Sequence, residues 1–552
     1  IYITMAALIS ALDSATNIQY GENNHIEYQW SEISQEKILQ LSFQLVRVGD
    51  KMKREFLAKK YKECFENGTY EERKILIKLL AHTRDIETGK GEYALTFSIL
   101  KEMMSYKEKL CIDLMIKFVG FEEEKEKPMG SWKDMKYFFN ELDNAPVKLI
   151  KIMNSQLKKD IEKMNRNESM SLLAKWIPRE KSKKFGWINE KLAKDYFEHY
   201  GESKKGWNKS AIDKAKTHYR KIISSLNKYI DTVQIKQCGQ NWENINFNNV
   251  TSITMMKQKK AFLDEKNDSD DRKICRLNLL KYLEEVKEGK KEMKGKRTSM
   301  TDFIKSALNI ESDEERFIIN EAWKNNSKDT KSLENMIAMV DTSGSMECDN
   351  NQPLYSAIGL GIRVAEKSKL GKRIMTFHNK PSWINLENCI DFVDEVEKVR
   401  CAGWGFNTNF HEAMNIILDQ ITKNKIPSEE IENLVLTVFS DMQFDKSEPH
   451  NTNDYNNTVR QILEKKFNEA GVKVCGKGYK LPHILFWNLR STDGFPELSY
   501  QPNVTMLSGY SPMLLNTFIE EGINGIRDIT PWKMLLNMLN TDRYNQLEKI
   551  LD

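Results

Sequence analysis

Three oxygen-bearing side chains follow a short apolar run in the second half of the chain. The run begins at Met336 and ends in Asp341, after which Ser343 and Ser345 complete the spacing D-x-S-x-S. Apolar runs of this length are typical of buried parallel strands, and open α/β sheets carry ligand sites outside the carboxyl ends of such strands. Oxygen atoms are the ligands that hard cations prefer. The spacing therefore predicts a strand that presents these three side chains to a cation such as Mg²⁺.

Two further oxygen donors occupy positions that would complete this site. Thr408 lies in a loop that enters a predicted helix carrying Ala413, and Asp441 follows a second apolar run that ends in Ser440. The second run repeats the strand-then-aspartate construction of the first, and the carboxyl ends of parallel strands meet at one edge of a sheet. We expect one site for Mg²⁺ or another divalent cation, built from Asp341, Ser343, Ser345, Thr408 and Asp441.

The first half of the chain contains stretches that combine aromatic, cationic and amide side chains. Grooves for single-stranded nucleic acid use this combination, because bases stack on aromatic rings while cations bind phosphates. The alternative is a structural role, in which Trp132, Trp176 and Trp242 pack in the core and Arg84 or Arg179 pairs with a neighbouring carboxylate. The candidate RNA-binding residues are Arg84, Lys90, Lys133, Lys175, Arg179, Arg220 and Lys236.

Composition restricts the class of protein. A chain of 552 residues with 40% hydrophobic and 30% charged residues predicts a globular protein of two or three domains. No run approaches the roughly 20 apolar residues of a membrane span. The eight cysteines are scattered without a C-x-x-C pair, which argues against a zinc ribbon or a disulfide framework and favours a reducing compartment. We expect a cytoplasmic protein, or one of the virion or virus factory if the source is viral.

Charge is distributed unevenly along the chain. Residues 1–330 contain 61 Lys and Arg against 51 Asp and Glu, an excess of +10, whereas residues 331–552 contain 23 against 29, a balance of −6. The first part is therefore the better candidate for binding a polyanion. A solvated helical surface would account for much of the same excess.

Apolar spacing of three and four residues predicts helix after helix from Glu36 to about Ile230. One of these helices should end before Pro178, and another should run from Tyr219 to Asp231. We predict an α-helical, solenoid-like repeat domain over residues 1–330, with a charged insertion near residues 257–297. A helical bundle without repeats is the alternative.

Residues 331–552 alternate between strand and helix patterns, which predicts βαβ units and a doubly wound parallel sheet followed by C-terminal helices. The predicted strands after the one ending at Asp341 are Arg373–Phe377, Asn433–Phe439, His483–Trp487 and Val504–Leu507. The predicted helices are Pro353–Lys367, Phe410–Ile421 and Val459–Ala470.

The five oxygen donors resemble the metal-ion-dependent adhesion site of von Willebrand factor A domains. The resemblance implies that the serine and threonine hydroxyls bind Mg²⁺ directly, whereas the aspartates bind directly or through water. It also implies an open coordination position for an anionic ligand. The chain departs from the family at Phe406-Asn407 and at Met442, where glycines are common.

The helical part followed by this domain is similar to the Ro autoantigen (TROVE-domain) proteins, in which a ring of helical repeats is closed by a von Willebrand A domain. Those proteins bind small structured RNAs and single-stranded ends of misfolded RNAs. The chain more closely resembles a family of uncharacterised viral, plant and fungal proteins. The residues that carry this resemblance are Thr83-Arg-Asp85, Gly89-Lys-Gly91-Glu, Gly130-Ser-Trp132-Lys-Asp134 and the D-x-S-x-S motif.

These observations predict a non-enzymatic ribonucleoprotein component that binds RNA through its helical part and an anionic partner through its metal site. The alternative is a protein–protein scaffold, including a virion or assembly component, whose metal binds an acidic partner residue. A metal-dependent hydrolase is disfavoured because neither a general base nor a second metal cluster is evident. The motif Asp341-Thr-Ser343 has no evident histidine partner, which favours Ser343 as a ligand over Ser343 as a nucleophile.

Overall fold

The computed structural model describes residues 12–13, 16–121, 127–202, 206–264, 266, 269–333, 335–405, 407–446, 457–516 and 529–551. A long helical region is followed by a mixed sheet, as the sequence predicts for an α plus α/β chain. The chain forms two compact units. The sheet unit draws its described residues from 1–79, 251–257 and 292–545, and the helical unit draws its own from 80–250, 258–291 and 546–552.

The helices vary from single turns to more than seven turns. In chain order they are Ser34–Gln44, Lys51–Asn67, Tyr70–Arg84, Tyr93–Val119, Lys133–Leu142, Val147–Asn165, Leu173–Trp176, Gly186–Tyr196, Lys209–Ile230, Val233–Cys238, Ser252–Leu263, Asp270–Lys287, Met300–Ala307, Asp313–Ser327, Cys348–Lys367, Phe392–Cys401, Phe410–Lys423, Ser428–Glu432, Val459–Cys475, Pro531–Leu539 and Asp542–Asn545. Among the described residues, no helix is both long and apolar enough to cross a membrane.

The sheet unit is built on six strands in the order β5-β4-β3-β6-β7-β8. All neighbouring pairs are parallel except β4 and β5, so the sheet is mixed at one edge. The strands are β3 (Met336–Asp341), β4 (Arg373–Phe377), β5 (Ser382–Asn385), β6 (Val435–Ser440), β7 (His483–Asn488) and β8 (Val504–Ser508). Because β3 and β6 are central neighbours, their carboxyl ends lie side by side.

Helix Cys348–Lys367 lies directly against β3 at Gly361. A Cβ atom at this glycine would stand 2.4 Å from a methyl group of Val340, so a larger residue could not keep the helix at this distance. The packing anchors the strand that ends in Asp341. Residues 349–351 at the start of this helix have non-helical backbone angles, and the regular turns follow them.

The first described residues of the chain belong to the sheet unit. Strand β1 (Ile18–Tyr20) pairs with β2 (Ile26–Tyr28) in an antiparallel hairpin, and Tyr28 exchanges two backbone hydrogen bonds of 2.9 Å with Phe495. Helix Ser34–Gln44 packs on β8. The described residues before 80 therefore pack on the sheet and belong to its unit. The boundary between the two units does not coincide with a division of the chain after residue 330.

The helical unit has its core between long helices. Helix Tyr93–Val119 packs against Lys133–Leu142, and Gly186–Tyr196 packs against both Val147–Asn165 and Lys209–Ile230. In the charged region near residues 257–297, helix Asp270–Lys287 buries an apolar stripe that includes Cys275, Leu279 and Leu283, while charged residues such as Lys281 and Glu284 are exposed. Its apolar stripe packs on the single turns at residues 242–244 and 247–249. Residues 265, 267 and 268 of that region lie outside the described residues.

Candidate metal centre and nucleic-acid surface

Two buried aspartates end the central strands of the sheet. Val340 on β3 is paired with Phe439 on β6, so Asp341 and Asp441 follow at the same edge. Both carboxylates have an exposure of 0%. Burial, together with the negative charge of Asp441, raises the pKa of Asp341. A divalent cation between these groups would offset the cost of burying two like charges.

Short hydrogen bonds orient the first aspartate and the serines. The Ser343 backbone N–H donates to Asp341 Oδ1 at 2.9 Å, and Ser440 Oγ donates to Asp341 Oδ2 at 2.5 Å. The Oγ atoms of Ser343 and Ser345 are 3.1 Å apart. Neighbouring ligands of an octahedral Mg²⁺ are separated by about 3 Å, since each Mg–O bond is about 2.1 Å. The donor set and this spacing therefore fit Mg²⁺.

The threonine loop lies against the D-x-S-x-S loop. Gly405 N–H donates to the carbonyl of Thr342 at 3.3 Å, and Ser343 forms an isolated parallel bridge with Gly405. Thr408 is buried, and its carbonyl accepts the Asp445 N–H at 3.0 Å. The loop thus brings Thr408 to the edge that carries both aspartates, whereas Phe406 lies outside the described residues.

Met442, which stands where glycine is common in the adhesion-site pattern, has a backbone conformation that glycine favours. Met442 has a φ of 64°, in the left-handed region that costs an L-residue free energy and that glycine adopts freely. Its N–H donates to Ser440 Oγ at 3.0 Å, which holds the turn after Asp441. The turn geometry is therefore the one for which glycine is suited, although a methionine occupies it.

A cation that the sequence did not single out contacts this edge. Arg490 Nε donates to Asp441 Oδ2 at 2.8 Å, while the Gln443 N–H donates to Asp441 Oδ1 at 3.1 Å. Arg490 follows β7, the next parallel strand after β6, so three adjacent strand ends contribute charged groups. In the sequence, the only feature that could have pointed to Arg490 is its position shortly after the predicted strand His483–Trp487.

A cation at this edge would need oxygen ligands beyond the two aspartates, such as the neighbouring hydroxyls. Within the described residues, no group of three or more His, Cys, Asp or Glu is placed so that it could hold a metal ion. A zinc-type cluster of soft or nitrogen ligands is thus not found in that part of the chain. Two carboxylates with serine and threonine hydroxyls would suit a hard cation, which prefers oxygen ligands.

Two of the seven proposed RNA-binding residues are buried in the helical unit. Arg84 is 4% exposed and donates from Nε at 2.8 Å and from Nη2 at 2.5 Å to Asp134 Oδ2. Lys90 is 5% exposed, and burial lowers its pKa to about 7. Neither side chain offers a surface to RNA in this structure. The helix end at Arg84 and the following loop that carries Lys90 therefore hold an internal ion pair and a buried amine.

Two further candidates are already paired with carboxylates. Arg220 Nη1 lies 2.8 Å from Glu180 Oε1, and Lys236 Nζ lies 2.8 Å from Asp231 Oδ2. The Arg220 side chain is exposed, so its pair breaks at little cost and the cation can exchange partners. Lys236 is more enclosed, because its side chain is 15% exposed and its Nζ also donates to the Asn244 carbonyl at 2.6 Å. Arg179 is exposed.

The remaining two candidates, Lys133 and Lys175, converge on one indole ring. Together with Lys136, which the sequence did not single out, their Nζ atoms lie 5.0–5.4 Å from the centre of the Trp176 ring. Phe185 and Tyr137 extend the aromatic surface, with ring centres 5.7 Å apart. We call this group the lysine–aromatic patch, and it consists of Lys133, Lys136, Tyr137, Lys175, Trp176 and Phe185.

The patch concentrates positive charge. Burial and the neighbouring Lys133 lower the pKa of Lys136, and burial lowers the pKa of Lys175. Among the residues that the structure describes, neither Lys136 nor Lys175 forms an ion pair with a carboxylate. Trp176, Tyr137 and Phe185 are each partly exposed. An anion would relieve the repulsion between the ammonium groups of Lys133 and Lys136.

The comparisons with known proteins give relatives without an assigned activity. Residues 335–542 match a domain of unknown function, DUF7788, and residues 147–346 match another, DUF2828. The two matched ranges overlap in the strand and loop that carry Asp341, Ser343 and Ser345. The chain is also 28% identical over 514 residues to an uncharacterized protein, L728, of Acanthamoeba polyphaga mimivirus, a match that covers 87% of this chain and 81% of that protein.

Proposed function

We propose that this protein is a non-enzymatic, Ro-like ribonucleoprotein component. Its helical unit, of TROVE-like solenoid character, binds RNA, and its sheet unit is a von Willebrand A-type domain with a divalent-cation site. Asp341, Ser343, Ser345, Thr408 and Asp441 hold the cation, which supplies an open coordination position for an anionic oxygen of a partner. The oxygen-only donor set and the serine spacing support the metal part of the proposal.

The lysine–aromatic patch is the observation that carries the RNA part. Three lysines surround an accessible indole, which suits a base stacked on Trp176 and phosphates on the ammonium groups. The surrounding sequence reinforces this charge, since residues 127–236 contain 25 Lys and Arg against 13 Asp and Glu, an excess of 12. A polyanion is the partner that this field attracts.

Binding of a fluorescein-labelled single-stranded RNA, followed by anisotropy across a salt series, tests the RNA proposal. Each phosphate contact in a single strand contributes about −0.7 to the slope of log K against log salt. Changing Lys133, Lys136 and Lys175 to Gln together should therefore reduce the slope by about 2. Trp176→Ala should weaken binding roughly 5- to 150-fold, which corresponds to the loss of one stacked base.

The matched control uses two exposed lysines of the same unit that lie outside the patch, Lys221 and Lys228. Changing both to Gln removes two positive charges, compared with three in the triple change, and should alter affinity much less than the triple change does. Binding that is absent, insensitive to salt, or equally affected by both sets of changes would contradict the proposal. Divalent-dependent binding of an acidic protein without RNA binding would instead favour a protein–protein scaffold or assembly component.

Calorimetric titration of Mg²⁺ tests the metal part. The wild-type chain should bind one ion, whereas Asp341→Ala removes a buried ligand and should abolish the measurable heat. Cys348→Ser is a suitable control, because it changes an exposed side chain near the loop that is not among the proposed ligands. Equal Mg²⁺ binding by wild type and Asp341→Ala would remove the assignment.

A further inference from the structure

Arg490 joins the proposed metal centre to the β1–β2 hairpin. Its Nε contacts Asp441 Oδ2 at 2.8 Å, and its two terminal nitrogens contact Glu22 Oε1 and Oε2 at 3.3 and 2.7 Å. Bidentate pairs of this kind fix a guanidinium in position as well as in charge. Arg490 is therefore held between a buried aspartate and a partly exposed glutamate.

Glu22 is itself fixed by the segment that follows Asp441. The Glu22 backbone N–H donates to Gln443 Oε1 at 2.6 Å, and Asn23 Nδ2 donates to the Gln443 carbonyl at 2.8 Å. The hairpin turn and the loop after Asp441 thus form one hydrogen-bonded structure. A change in the position of the turn would move the charge that balances Arg490.

The charges of Asp341, Asp441 and Arg490 determine how strongly this edge of the sheet binds a cation. Asp341 and Asp441 supply two negative charges, which a divalent cation would neutralise, and Arg490 adds a permanent positive charge in contact with one of them. Like charges a few ångströms apart near a protein surface change a binding constant by more than tenfold. Arg490 therefore lowers the affinity of the site for the metal, and Glu22 reduces this effect by neutralising the guanidinium.

We propose that Arg490 is a positioning residue that sets the cation affinity of this centre, and that Glu22 controls how strongly it acts. This inference rests on the proposed metal site. Arg490 pairs with Asp441 Oδ2 when no cation is bound. When Mg²⁺ binds, Arg490 and Mg²⁺ compete for the same carboxylate, so the site binds the ion more weakly than its two aspartates alone would.

Mg²⁺ calorimetry on the full chain tests the inference, because the two partners of one ion pair should act in opposite directions. Arg490→Gln removes the competing cation and should tighten Mg²⁺ binding about tenfold. Glu22→Gln leaves Arg490 unneutralised and should weaken Mg²⁺ binding several-fold. Arg490→Lys keeps the charge and should remain near the wild-type affinity, which separates charge from packing.

The double change Glu22→Gln with Arg490→Gln should bind nearly as tightly as Arg490→Gln alone, since Glu22 acts through Arg490. If wild type binds Mg²⁺ but Arg490→Gln binds equally or more weakly, the inference is overturned while the metal site stands. If wild type and Asp341→Ala give the same heats, the metal site itself is wrong and the inference falls with it. Urea denaturation of each variant establishes that the fold is retained.

Discussion

At the scale of single residues, charge alone does not reveal whether a cation serves the surface or the core. Arg84 and Lys175 both lie in stretches rich in aromatic and cationic residues, yet Arg84 forms a buried pair with Asp134 and Lys175 borders an accessible indole. Arg84 and Asp134 are fifty positions apart, so no local pattern joins them. A buried pair is costly to break from one side, because the other charge is left without compensation.

We expect Asp134→Ala to destabilise the chain by about 3–5 kcal/mol, since Arg84 would remain buried without its carboxylate. Urea denaturation followed by circular dichroism measures this loss. Arg220→Ala is the matched control, because it breaks an exposed pair with Glu180 whose loss costs about 1 kcal/mol or less. Similar losses for the two variants would show that the Arg84 pair contributes no more than a surface contact.

Four of the proposed metal ligands could be selected from sequence because they follow strand ends, which are local features, and Thr408 because its loop enters a predicted helix. Asp341 directly follows a run of apolar residues, Asp441 follows another with Ser440 between them, and parallel strands carry their ends to one edge. Arg490 could not be selected in this way, since its contacts with Asp441 and Glu22 span 49 and 468 positions of the chain. Predicting the electrostatics of the site therefore required the three-dimensional structure.

At the scale of elements, apolar runs predicted the buried strands well. Arg373–Phe377 has the predicted bounds, and the strands ending at Ser440, Asn488 and Ser508 each end one residue beyond the prediction. The strand ending at Ser440 begins at Val435, two residues later than predicted. Strand β5 was missed because it is a short edge strand with polar ends, and its Trp383 is 49% exposed. Such a strand presents no apolar run, and only its pairing with β4 identifies it.

Helix ends were predictable where a residue type dictates them. The helix Leu173–Trp176 ends before Pro178, as predicted, because proline disfavours a helical residue before it. The helix predicted from Tyr219 begins instead at Lys209, where the Asn208 side chain accepts the Ala211 N–H at 3.0 Å. A capping asparagine is a weak signal within a sequence rich in asparagine, and the amphipathic stripe alone did not identify this start.

At the scale of the whole molecule, the change from helices to alternating strands does not mark where one compact unit ends. Helix Ser34–Gln44 is buried on nearly all sides, including Glu36 and Gln44. Gln44 accepts the Thr492 N–H at 2.7 Å and donates to the Gly494 carbonyl at 3.0 Å. Periodicity predicts that a helix has a buried face, but it does not predict which distant strand covers that face.

Helices before residue 330 complete the sheet unit in the same way. Trp323 stacks on Phe392 with ring centres 3.9 Å apart, and the buried Arg363 donates to the Asn326 carbonyl at 3.3 Å. A fragment that contained only residues 331–552 would expose Phe392 and leave Arg363 buried without these acceptors. Arg363 would keep its ion pair with Glu366, but it would lose the Asn326 and Thr330 acceptors, and unmet hydrogen bonds of a buried charge are strongly destabilising.

We therefore expect the fragment 331–552 to lack a cooperative unfolding transition, although it contains every proposed metal ligand. Thermal melting followed by circular dichroism, with the full chain measured in parallel, tests this expectation. The fragment should also bind Mg²⁺ weakly or not at all, because the hairpin that carries Glu22 and the helices that support β3 and its neighbours are absent. A sharp transition together with Mg²⁺ affinity equal to that of the full chain would show that residues before 331 are not needed to stabilise the sheet or the metal centre. The structure indicates instead that they hold the strand ends, and hence the candidate metal centre, in place.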